Sequence, residues 1–110
     1  MENKKKLIEY VQEIYGTITQ MLMFKDQSLD NPLYKFLVKN IVSCNEKYDK
    51  EDFSILRENE FISELIYKIS NLKLASEVYL NNNNAKDLFE NSILELTKIH
   101  QKWIIIKTEL

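Results

Sequence analysis

Glycine and proline are almost missing from this 110-residue chain, which carries one of each. Tight β-hairpin turns draw on those two residues for their backbone angles, so a many-stranded β architecture would lack its turn chemistry. Helices need far less of either. The lone glycine also excludes phosphate-cradling loops, every version of which requires at least two. Histidine and cysteine occur once each, as His100 and Cys44. One imidazole cannot build a two-histidine zinc site, and no Glu-x-x-His pair exists to support a di-iron centre in a helical bundle. One cysteine cannot close an intrachain disulfide, on which small secreted domains usually depend, so a reducing, cytoplasmic location is expected.

Positive charge is not in excess either. Lys and Arg number 15 against 17 Asp and Glu, interspersed along the chain, for a net charge of -2. A nucleic-acid surface needs concentrated positive charge, so no nucleic-acid partner is expected. The longest apolar runs are tetrads such as Trp103 to Ile106 and Met21 to Phe24, against the roughly 20 residues needed to cross a bilayer. The opening Met1 to Lys6 starts like the basic region of an export signal, but Glu9, Gln12 and Glu13 follow in place of an apolar block, and no export signal is expected. Lys4 to Lys6 and the first helix could attach peripherally to a membrane surface, although Glu9 and Glu13 oppose binding to anionic lipid.

What is present is apolar material at helical spacing. Hydrophobic residues make up 45% of the chain, including one Trp, six Tyr and five Phe, enough to offset the entropy lost on folding one domain over residues 1–110. Leu7, Val11, Ile14, Ile18 and Met21 recur at steps of three and four, with Ile8, Tyr15 and Leu22 beside them, and predict an amphipathic helix over Lys4 to Phe24. Gly16 weakens it by about 1 kcal/mol relative to Ala, either for a close helix approach or as a tolerated defect. Asn31-Pro32 reads as a cap followed by a first-turn proline. The helix it starts presents Tyr34, Leu37, Val38, Ile41, Cys44 or Asn45, and Tyr48, with Phe36 at the margin of the stripe.

Between Asp52 and Glu60 the pattern is ambiguous, with Phe53 and Leu56 fitting a short helical turn or an apolar plug. Asn59 predicts the cap of a third helix carrying Ile62, Leu65, Ile66, Ile69 and Leu72 and reaching toward Leu80, before Asn81 to Asn84 break it. Asn84, with Asp87 three residues on, predicts a fourth helix from about Ala85 that buries Leu88, Phe89, Ile93, Leu96, Ile99 or His100, Trp103 and Ile106. Four stripes joined by short polar connections are satisfied together by an all-α, antiparallel four-helix bundle.

Chemistry-bearing residues are sparse. Cys44 and His100 lie on amphipathic stripes without an activating basic environment, so both read as structural. The carboxylates alternate with Lys in the manner of solvated helix faces. The tyrosines read as core-edge residues whose hydroxyls reach water. No catalytic residue, metal site or cofactor is expected, and the chain reads as a non-enzyme that acts by binding. Its least ordinary stretch is Lys102-Trp103-Ile104-Ile105-Ile106-Lys107. Four successive apolar residues on a helix span more than half its circumference, so one or two must point away from the core. Ile104 and Ile105 are either covered by the loop before the third helix or form a docking patch rimmed by lysines. The candidate partner-binding residues are Lys102, Trp103, Ile104, Ile105 and Lys107.

The stretches Ile8 to Tyr15 followed by Ile18, Phe61 to Tyr67, and Leu88 to Ile99 with its Ile93-Leu94-Glu95-Leu96-Thr97-Lys98-Ile99 ending resemble the immunity proteins of class IIa (pediocin-like) bacteriocins, most of all the enterocin A immunity group. The long Asp49 to Glu60 connection departs from that pattern. The resemblance implies a cytoplasmic antiparallel four-helix bundle that protects a bacteriocin producer from its own peptide. It further implies action at the membrane-embedded mannose-type sugar permease, alone or with bacteriocin bound, and a C-terminal part that contributes to recognition. The other reading is a small helical regulator or inhibitor from a mobile element that sequesters a soluble protein partner.

Overall fold

Asparagine side chains set several of the helix starts. Asn31 takes an extended backbone and its side chain accepts from Leu33 N at 3.1 Å, with Pro32 as the first helical residue. Asn59 does the same for Phe61 N and Ile62 N at 2.9 and 3.2 Å. Each satisfies backbone donors that the helix itself cannot. The computed structural model describes residues 2–110, so Met1 of the basic opening lies outside the described residues. Over that range the protein is all-helical, with α1 Glu2–Leu22, α2 Pro32–Lys47, α3 Glu60–Asn81, α4 Lys86–Lys98 and α5 His100–Glu109. Short 3-10 turns occupy Leu56–Glu58 and Asn83–Ala85.

Two expectations at the C-terminal end are corrected. Asn82, not Asn84, supplies the side-chain acceptor in the asparagine run, bonding Asn84 N at 3.0 Å, and the α-helix starts at Lys86 after a 3-10 turn. The single fourth helix is divided at Ile99, giving five α-helices among the described residues.

The predicted stripes turn inward. Leu7, Val11, Ile14 and Ile18 of α1, Tyr34, Val38 and Ile41 of α2, and Ile62, Leu65, Ile69 and Leu72 of α3 are buried in one cluster with Phe89, Leu96 and Trp103. Each such aliphatic side chain contributes roughly 1.5–3 kcal/mol relative to remaining in water. Helix α3 packs on both α2 and α4, while α1 packs on α2. The molecule measures 41 × 26 × 19 Å. Leu88, expected inside, is exposed because Phe89 takes the inward position of that turn.

The Asp49 to Glu60 connection is pinned at Phe53, which is buried with its ring 6.1 Å from that of Tyr10. Tyr10 in turn stacks on Tyr48 at 5.1 Å. Phe53 is therefore an apolar plug, and Leu56 lies in the short helical turn. Gly16 has open space around it, since an added Cβ would meet nothing within 4 Å. Close helix approach does not explain it.

Candidate protein-binding surface

Helix α5 carries the residues singled out for binding, and it sorts them. Trp103 is 1% exposed and is among the largest fully buried side chains, whereas Ile104 and Ile105 are 40% and 60% exposed. Ile106 and Lys107 are half-buried, and Lys102 is exposed with its Nζ 5.0 Å above the ring of Phe61. Trp103 is thus removed from the candidate patch: it fills the core, and truncating it would open a cavity. Ile104 and Ile105 are not covered by the loop before α3 and stay at the surface with lysines on either side in sequence. The C-terminal end is held to the start of α1, where Lys4 Nζ donates to the Leu110 carbonyl at 2.7 Å.

The break before α5 coincides with a tertiary contact. In a continuous helix the Leu96 carbonyl would accept from His100 N–H. Here it accepts from the hydroxyl of Tyr15 at 2.7 Å and from Ile99 N at 3.2 Å. A side chain inserted into the helical ladder in this way bends a helix without Gly or Pro. The imidazole of His100 then lies flat on the Tyr15 ring, with centroids 4.0 Å apart. Burial drives the Tyr15 phenol well above its ordinary range.

Cys44 has a carboxylate for a neighbour. Its Sγ donates to Glu13 Oε2 at 3.2 Å, while Glu13 Oε1 accepts from Lys47 Nζ at 3.0 Å and Tyr48 Oη at 3.2 Å. Burial, then the hydrogen bond to Glu13 and its negative charge, push the thiol up to about 12. A thiol held neutral is a poor nucleophile. Burial raises the Glu13 carboxyl, but the bonds from Lys47, Cys44 and Tyr48 outweigh it, and the group lies below the usual carboxylate range. Tyr10 Oη likewise donates inward, to Asn45 Oδ1. Three of the tyrosine hydroxyls expected to reach water are therefore bonded within the protein. Among the described residues, no group of three or more His, Cys, Asp and Glu is placed to hold a metal ion.

A second surface was not singled out from the sequence. Met23 just after α1, with Leu33 and Phe36 at the start of α2, are 79%, 63% and 63% exposed. With Gln20, Phe24 and Leu37 they line a shallow groove of 450 Å³. The signal was available, because Met21 to Phe24 is an apolar tetrad of the same kind as Trp103 to Ile106, and Phe36 falls off the buried stripe of α2.

No protein-family model matches the chain, and neither a curated protein nor a solved structure shows significant similarity to it.

Proposed function

We propose that this protein confers immunity to a pediocin-like bacteriocin by binding, from the cytoplasm, the mannose-type sugar permease that the peptide targets, or the permease with bacteriocin bound. The observation that carries this reading is the outward projection of Ile104 and Ile105 from a C-terminal helix anchored in the core by Trp103, flanked by Lys102 and Lys107. Adjacent exposed β-branched side chains with a lysine rim suit a protein interface, in which apolar anchors supply affinity and rim charges set encounter and orientation. The chain acts by association and not by turnover. In this reading α4 and α5 together form the last member of an antiparallel four-helix bundle, bent at Ile99, as the resemblance of its α1, α3 and α4 segments to the enterocin A immunity group suggests.

The test is protection. A bacteriocin-sensitive host expressing the chain should survive the peptide, and the chain should co-purify with the permease when bacteriocin is added. Ile104→Ser with Ile105→Ser should abolish both while leaving helicity and thermal stability unchanged. Full protection by that double variant would remove the α5 patch from the mechanism. Failure of the wild-type chain to protect, together with capture of a stoichiometric soluble protein, would replace this reading with that of a sequestering regulator.

A further inference from the structure

We propose that the α1–α2 hairpin docks on an anionic lipid surface through Met23, Leu33 and Phe36. These three apolar side chains stand out from the rims of one groove where α1 ends and α2 begins. Such exposure is costly in water unless something covers it. Lys25, Lys35 and Lys39 are exposed beside them, and none of the three forms an ion pair among the described residues. Lys35 and Lys39 flank Phe36 on the same helix. Of the acidic neighbours in the connecting segment, Asp26 accepts from Ser28 Oγ at 2.7 Å and Asp30 remains exposed.

The charge of the chain is divided in the same sense. Residues 1–47 hold seven Lys against six Asp and Glu, a net of +1, and residues 48–110 hold eight Lys and Arg against eleven Asp and Glu, a net of -3. Lys4 to Lys6 stand at the opposite end of the 21-residue α1, so at the groove itself it is Lys25, Lys35 and Lys39 against Asp26 and Asp30 that draw Met23, Leu33 and Phe36 toward an anionic surface. Apolar side chains entering the headgroup boundary with lysines at the phosphates form the usual peripheral arrangement. The groove lies on different elements from Ile104 and Ile105, so lipid docking does not depend on the permease reading.

Flotation of the full chain with phosphatidylglycerol vesicles at low salt, against phosphatidylcholine vesicles, tests the inference. Binding to phosphatidylglycerol alone is expected, with progressive loss as salt is raised. Lys35→Gln with Lys39→Gln should weaken it more than tenfold, since each lysine near an anionic surface contributes about fivefold. Leu33→Ser with Phe36→Ser should reduce it to background while the thermal midpoint stays within a few degrees of wild type, because both side chains are at the surface. Ile105→Ser should bind as wild type. No flotation with phosphatidylglycerol, equal flotation with phosphatidylcholine, or undiminished flotation of the Leu33 and Phe36 variant would each overturn the proposal.

Discussion

The hydroxyl of Tyr15, in the middle of α1, donates to the carbonyl of Leu96 in α4 at 2.7 Å. One bond across 81 residues of sequence thereby occupies the acceptor that helical continuity would assign to His100. The C-terminal segment divides into α4 and α5 at that point.

Replacing Tyr15 by Phe should return that acceptor to the helix. A cost of about 0.5–1.5 kcal/mol is expected for a lost buried hydrogen bond, moderated because Ile99 N still serves the Leu96 carbonyl. The specific sign is greater hydrogen-exchange protection at the His100 amide. Unchanged protection there would assign the break to another cause.

Trp103→Ala and Ile105→Ser should differ sharply although a single residue separates them. The first removes a core side chain and should cost about 3–5 kcal/mol in chemical denaturation. The second alters an exposed position and should stay within about 0.5 kcal/mol. Loss of function in the tryptophan variant therefore reports unfolding, which is why the protection assay uses the isoleucines.

Gly16→Ala should stabilise the protein. The position is helical and a Cβ there meets no neighbour within 4 Å. The gain is that of an unobstructed helical Gly-to-Ala exchange, about 0.5–1 kcal/mol, read as a raised thermal midpoint.

Acid should loosen the α1–α2 pairing through Glu13. Its carboxyl is held below the ordinary range in the fold by Lys47, Cys44 and Tyr48 against the opposing effect of burial. A depressed folded value means that its contribution is fully present above the unfolded carboxylate range and is lost as pH falls through the folded value. Glu13→Gln should flatten the acid limb of the stability-versus-pH curve.

Cys44 should resist iodoacetamide at pH 8 in the native protein and react readily once unfolded, since burial and the adjacent Glu13 carboxylate hold the thiol near 12. Rapid native-state alkylation would contradict the Cys44–Glu13 pairing.

The sequence by itself determined what depends on near neighbours along the chain. Asn31 and Asn59 bond amides two or three residues on, and Leu7 to Met21 or Ile62 to Leu72 share a face by helical period alone, so these starts and stripes were readable in advance. The asparagine run was readable only as a break, because any of its four residues can cap, and it is Asn82 whose side chain does so. Tertiary structure alone decided the rest. Phe53 becomes a plug because Tyr10, itself stacked on Tyr48, offers a ring surface, and α1 delivers a hydroxyl to Leu96 where the last helix breaks. Both apolar tetrads bury their first member and leave their second and third outside, because the other helices cover only one side of each. Periodicity states that a face exists. Only the arrangement of the other helices states whether that face is filled, bonded or left open to a partner.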